Sequence, residues 1–378
     1  MKLNRVALGA GAFVAAVALA ACSSSGGTKA GSSGSSSSSS SGGSSSSAAA
    51  SGSCSTGTLN AAGSTAQTNA MTGWVNGYTK QCSGAKINYN PTGSGAGITS
   101  FNAKQVNFAG SDSPLSAPKG EVAGAQKACA SAPLDLPMVV GPIAVVYNVK
   151  GVSNLTLTPQ LLVKIFTGKI TTWNDPAIKA KNSSAKLPSS KIGVIYRSDA
   201  SGTTQNVENY MAATDPTDFK AMPAKDNAAQ VFKGQGEAKS QGVSSAIKST
   251  PNSIGYDEYS FAVSSSLNTA AIDSGSGPVQ VSKDSASAAA GQATVVGTGD
   301  DLSLKLNYKP TSKSAYPLIL VTYEIACTKY ADSTTGTFVK NFLNYTVGDG
   351  QAGLAQEGYA PLPTELQAKV KASIAKIS

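Results

Sequence analysis

The chain has 378 residues, with 30 Lys and Arg against 21 Asp and Glu, a formal charge of +9 and no histidine at all. Without histidine, a Ser-His-Asp triad is excluded, and zinc sites and imidazole acid–base chemistry lose their usual ligand and base. The basic residues form no block and are not interleaved with aromatics, which argues against a nucleic-acid platform.

The first segment is a leader. "MKLNR" carries Lys2 and Arg5, and "VALGAGAFVAAVALAA" is apolar but too short for an ordinary membrane span. It ends in Leu19-Ala20-Ala21-Cys22, small residues before a cysteine, which resembles a bacterial lipobox. An ordinary signal peptide cut at an Ala-x-Ala-like site is the weaker reading, because a Ser/Gly tract follows Cys22 at once. Residues 1–21 are therefore expected to be removed and Cys22 to be acylated, anchoring the protein to the outer face of the membrane. Loss of Lys2 and Arg5 leaves +7. Residues 22–53 form a flexible Ser/Gly tether reaching on the order of 30 Å.

From Cys54 the composition becomes globular and long enough for two domains. Thr58–Ala61 reads as a short strand, Gly63 as a turn, and Ser64 with Gln67 as a capping box. Met71, Trp74, Val75 and Tyr78 then recur at helical spacing. "KINYNPTGSGAGITSF" repeats the plan: a strand, a Gly/Ser turn at 93–97, and a helix carrying Ile98 and Phe101. A third strand ends at Gly110-Ser111-Asp112. Alternating strands and helices predict an α/β domain with a largely parallel sheet, whose ligands sit beyond the carboxyl ends of strands.

Two apolar runs, "LPMVVGPIAVVYNV" (136–149) and "YPLILVTYEIA" (316–326), contain prolines that disfavour a central strand. Either they cross between two domains, or they are two edge strands. The first reading makes 54–139 and 316–378 one discontinuous domain and 140–315 the second. "TPQLLVKIFTGKITTWND" predicts a helix and a Gly turn. Ile192–Tyr196 predicts a strand that delivers "RSDASGT" to a helix whose face is Val207, Tyr210 and Met211. Arg197, Asp199, Ser201, Gly202 and Thr203 thus fall where free N–H groups and the helix dipole favour an anion, although an N-cap alone also explains the Ser and Asp. Residues 262–310 show little pattern and are expected to be loops with a strand or two. Leu366, Val370 and Ile374 predict a final helix.

The remaining cysteines, Cys54, Cys82, Cys129 and Cys327, allow three pairings. Cys54–Cys82 is preferred because it brackets one strand–helix unit, which leaves Cys129–Cys327.

"AAGSTAQ", "GSGAG", "NFAGSDSPLS", "LVKIFTGKITTWND", "YRSDASGT" and "IGYDEY" resemble, in order, the signature blocks of the phosphate-binding protein of the phosphate-specific ABC transporter. The resemblance covers nearly all of residues 58–366. It implies a two-domain, type II periplasmic-binding-protein fold closing on inorganic phosphate and delivering it to permease subunits, with no cofactor and no metal. It implies that Thr65 donates through hydroxyl and N–H, Ala66 through N–H, and Ser94 likewise. It also implies that Asp112 accepts a proton-bearing oxygen, that Arg197 forks onto two oxygens with Asp199 holding it, and that Ser201, Gly202 and Thr203 donate. Two positions depart from the pattern: Ala66 stands where the family commonly has Phe, and the Ser94-Gly95-Ala96-Gly97 loop lacks one hydroxyl. A carboxylate at Asp112 suits phosphate, which keeps a proton, over sulfate, which does not. Sulfate or molybdate on the same fold, a phosphate-ester hydrolase, and a surface lipoprotein that has lost binding are the competing readings. No GxSxG motif or metal-ligand cluster supports the hydrolase.

Overall fold

The structure is a computed structural model that describes residues 53–220 and 228–378. The leader, Cys22 and nearly all of the tether lie outside those residues. The described chain opens with β1 (Gly57–Gly63), α1 (Thr68–Gln81), β2 (Ala85–Asn90), α2 (Ser94–Asn102), β3 (Phe108–Ser111) and α3 (Glu121–Cys129). Met71, Trp74 and Tyr78 are buried on α1, as its spacing requires. The expected capping box is absent. Gln67 occupies the cap position without a side-chain cap bond, its amide donates to Tyr89, and Ser64 turns toward Asp112 instead. α2 starts at Ser94, so the turn before it is shorter than 93–97.

The first apolar run becomes β4 (Pro133–Asn148), buried along nearly its whole length. After it come β5 (Thr156–Leu157), α4 (Pro159–Phe166), α5 (Pro176–Lys181), β6 (Gly193–Arg197) and α6 (Gly202–Thr214). α4 has Thr158 as cap, accepting from Leu161 N at 3.2 Å, and proline at its first position. Next come α7 (Ala228–Val231), β7 (Gln235–Glu237), α8 (Lys239–Ser249), β8 (Ser253–Glu258) and α9 (Tyr259–Ser265).

The low-pattern region contains β9 (Asn268–Thr269), β10 (Ala271–Asp273), β11 (Pro278–Val279), α10 (Lys283–Ala290), β12 (Thr294–Val295) and β13 (Leu304–Lys305). α10 was not expected. Its alanines favour helix, and Ser282 and Ser285 cap it reciprocally without the usual Glu or Gln. β14 (Ile319–Cys327), α11 (Ser333–Val347) and α12 (Thr364–Ile374) complete the chain.

The main sheet runs β2-β1-β3-β14-β4-β8-β6-β7, with β9 on β4. Its flanks are parallel, but β14 is antiparallel to β3 and β4, and β4 is antiparallel to β8. The expectation of a largely parallel sheet therefore fails at the centre, where two long strands run against their neighbours. Those strands are central, not edges. β4 pairs with β14 through Pro133–Pro142 and with β8 through Ile143–Asn148. A proline ends the first ladder where its missing N–H costs least. Two large apolar cores lie on either side of this switch. One holds Trp74, Phe108 and Phe342, and the other Phe166, Trp173 and Tyr256. α10 packs with the first core. Disulfides join Cys54 to Cys82 and Cys129 to Cys327.

Candidate anion-binding site

Five strands end at one place. β1 ends at Gly63, whose φ of +142° and approach to Gly110 admit no side chain: a Cβ would stand 2.1 Å from the Gly110 carbonyl oxygen. That turn delivers Ser64, Thr65 and Ala66. β3 delivers Asp112, and β6 delivers Arg197 to the start of α6. The β7–α8 turn delivers Ser240, and β8 ends in Glu258. Ser94 and Gly202 open α2 and α6, where the first N–H groups have no helical partner. Ser64, Thr65, Ser94, Asp112, Arg197, Ser201, Thr203, Ser240 and Glu258 are all nearly or fully buried. A cavity of about 720 Å³ opens beside Asp112, between α6 and the segment carrying Tyr308.

Asp112 is held by hydroxyls. Its Oδ1 accepts from Ser64 at 2.5 Å and Thr322 at 2.7 Å, and its Oδ2 accepts from Ser94 at 3.0 Å. Burial, reinforced by the charge of Glu258, pushes this carboxyl up to about 6, although all three hydroxyls oppose the shift. The Ser94 hydroxyl is thus committed to Asp112. Across the cleft Asn206 of α6 donates to the Asp112 carbonyl at 2.8 Å and is itself held by the Tyr308 hydroxyl. Gly202 packs so closely that an added Cβ would be 2.7 Å from the Asp112 Cβ.

Arg197 is forked by Asp199, with Nε on Oδ1 at 2.8 Å and Nη2 on Oδ2 at 2.5 Å, while Nη1 donates to Ser240 at 3.2 Å. Burial works against its charge, but the hydrogen bonds and charge of Asp199 outweigh this, and its pKa rises above the ordinary value. Burial likewise disfavours the Asp199 charge, and Arg197 overcomes it, so that carboxyl falls below its usual range. Lys239, in the left-handed region at φ +64°, adds its N–H to Asp199 at 2.8 Å. The fork therefore holds a fixed cation in the cleft wall.

The Thr65 hydroxyl meets the Ser240 hydroxyl at 2.8 Å. The Ala66 N–H donates to Ser64 at 3.0 Å, and its carbonyl accepts from Tyr359 at 2.6 Å. Ser201 caps α6 by accepting from Thr204 N at 3.3 Å, so the capping role coexists with its place in the cluster. Thr203 donates its hydroxyl to Glu258 at 2.5 Å.

All the residues singled out in the sequence for this site converge here. Ser64, read in the sequence as part of a helix-start turn and its cap, joins them, as do Asn206, Ser240, Glu258 and Thr322, which were not singled out. Ser240 follows the same strand–turn–helix plan as the other turns, in "QGEAKSQG", and could have been found by it. Thr322 lies inside an apolar strand, where no local signal marks it.

The family model described as "PBP superfamily domain" matches residues 48–349. The chain is 42% identical over 325 residues to phosphate-binding protein PstS 3 of Mycobacterium tuberculosis, covering 85% of this chain and 87% of that protein. It is 32% identical to phosphate-binding protein PstS of Haemophilus influenzae, covering 81% and 92%. In fold it is similar to a high-affinity periplasmic phosphate-binding protein solved with phosphate bound, PfluDING, at TM-score 0.69 and 24% identity, covering 84% and 93%. The phosphate-binding protein of Stenotrophomonas maltophilia superposes at 0.67, with 19% identity and coverage of 84% and 93%.

Proposed function

The chain belongs to the PBP superfamily and, within it, to the phosphate-binding proteins, and from that membership we propose that it captures inorganic phosphate and delivers it to the permease of an ABC transporter. The observation that carries this reading is the buried pairing of a fixed cation with a carboxylate acceptor. Arg197 has five N–H donors, and its bonds to Asp199 and Ser240 engage three, leaving two for an anion. The starts of α2 and α6 add main-chain N–H groups and their dipoles, at Ser94 and at Gly202 and Thr203, with Thr65 on the facing turn, whereas the Ala66 N–H, expected to donate to the ligand, is given to the Ser64 hydroxyl. Asp112 accepts the proton that phosphate retains and repels an oxyanion that has none.

The capture occurs between two lobes, expected as 54–139 with 316–378 and as 140–315; two apolar cores support a division into two, but α10, Leu302 and Leu304 pack with the first core, so that stretch sides with the first lobe and not with the second. The ligand is bound and released unchanged. The site lies outside the cytoplasm, tethered through an acylated Cys22, and no helix among the described residues is long and apolar enough to cross a membrane. Calorimetric titration with phosphate and sulfate side by side tests the reading. Tight phosphate binding with sulfate at least about 100-fold weaker is expected from one unbridged charge pair. Equal binding of both anions, or turnover of a generic phosphate ester, overturns it.

A further inference from the structure

Asn206 lies one turn into α6 and is buried. Its Nδ2 donates to the carbonyls of Asp112 and Gly202, both at 2.8 Å, and its Oδ1 accepts from the Tyr308 hydroxyl at 2.8 Å. Carbonyl oxygens only accept, so the NH₂ must face those two, and the remaining oxygen must face a donor. The partners therefore fix which way the amide points. Gly202 is on the same helix, whereas Asp112 stands at the end of β3 and carries the carboxylate that meets the ligand. One side chain thus ties the helix whose start supplies N–H donors to the residue that supplies the acceptor. Thr65 with Ser240 at 2.8 Å, and the Gly95 N–H with the Ala200 carbonyl at 3.3 Å, also bridge the cleft. Loss of Asn206 would therefore loosen closure without abolishing it.

Tyr308 reaches Asn206 from a third segment. Leu302 and Leu304 pack in the first core, while Tyr308 packs against the second, its ring edge-on to Tyr210 of α6 with centroids 6.4 Å apart. Residues 302–308 thus form a strap from one core to the other, and the hydroxyl at its far end gives its proton to Asn206. Asn209, three positions further along α6, hydrogen-bonds the same hydroxyl. We propose that Asn206 is a further positioning residue of the phosphate site: aligned by Tyr308, it latches the start of α6 to the main chain of Asp112 and so holds the cleft closed around the anion. The inference rests on the phosphate reading above and deepens it. A hinge opening that parts α6 from β3 breaks this bond and returns the Asp112 carbonyl to water. The bond is made after phosphate has entered, so its loss acts on release and not on capture.

The test measures phosphate affinity by calorimetry on the full-length chain in detergent, and release by chasing bound radiolabelled inorganic phosphate with unlabelled phosphate. The capture rate is the release rate divided by Kd. Asn206→Ala leaves the Asp112 carbonyl without its donor in the closed form, and is expected to release phosphate about 5–150-fold faster with the capture rate nearly unchanged. Tyr308→Phe keeps the ring and removes only the donor, and is expected to speed release about 2–10-fold. In the double variant Tyr308→Phe should add nothing to Asn206→Ala, because the hydroxyl acts through the amide. Wild-type release by Asn206→Ala, a loss of affinity carried by slower capture, or full additivity of the two substitutions overturns this inference and leaves phosphate capture standing. No phosphate binding by wild type overturns capture and this inference together. If Asn206→Ala fails to fold, Tyr308→Phe decides, and wild-type release there overturns the inference.

Discussion

Arg197 and Asp112 divide the work of recognition between them. The guanidinium is aligned by a two-point contact with Asp199, which a lysine ammonium cannot reproduce. Arg197→Lys keeps the charge but frees Asp199 and loses aligned donors. Charged hydrogen bonds contribute about 1.5–3 kcal/mol each, so phosphate affinity is expected to fall about 10–150-fold. Titration calorimetry checks this, and unchanged affinity would remove Arg197 from the site. Asp112 works by exclusion. Ser64 and Thr322 fill its Oδ1 and Ser94 takes one lone pair of Oδ2, leaving one for the ligand, so Asp112→Asn must set an amide N–H among hydroxyls that were donating. Those hydroxyls can turn, and the amide can then face a bare oxygen. Phosphate affinity should drop about tenfold for the lost acceptor, while sulfate affinity rises or holds. An unaltered ratio of the two affinities would show that Asp112 does not discriminate.

At the scale of elements, the site is assembled from strand-to-helix turns, and their close approach depends on glycine. Gly202 opens α6 directly against Asp112, with its would-be Cβ 3.0 Å from the Asp112 Cα. Gly202→Ala should hold α6 away from β3. Overpacking costs about 1–3 kcal/mol, and if that cost falls on the ligand-bound form alone, affinity drops about 5–150-fold. The melting temperature of the ligand-free protein should change little, and a large drop there instead would place the clash in the unliganded fold as well. These turns were legible in the sequence because Gly, Ser and Thr mark them and because the apolar spacing of α1 and α6 dates the helix that follows. The antiparallel centre of the sheet was not legible. Strand direction is set by which partner covers a buried edge, and the apolar runs of β4 and β14 read alike in either direction. α10 was hidden by its small residues, whose alanines pack with little area to create a periodic signal. Glu258 was quoted within a motif but not singled out, since its meaning comes from Thr203, 55 positions away.

Over the whole molecule, β4 and β14 belong to both cores, so a change of angle between lobes must be absorbed near the Pro142–Ile143 switch and the entry to β14. Small-angle scattering should show compaction when phosphate is added, and equal profiles with and without it would argue against closure. The same central strand carries a buried acid. Glu324 of β14 pairs in register with Gly110 of β3 and Leu136 of β4. Burial pushes its carboxyl up to about 8 from an ordinary 4.5, eased by Gln67 and reinforced by the Asp112 charge. The folded chain therefore keeps a proton that the unfolded chain gives up once the pH passes 4.5. Stability is fully present below that value, declines as pH rises toward 8, and then levels off. Asp112 adds a decline of the same sign between 3.8 and about 6. Asp199, whose carboxyl is depressed, acts oppositely and only in acid. The ligand-free melting temperature should therefore fall from pH 5 to pH 8. Glu324→Gln, which has the same shape and nothing to ionise, should flatten that fall and melt higher than wild type at pH 8. A wild-type melting temperature that rises over this interval, or a variant with the wild-type slope, would mean that Glu324 is not the group that sets it.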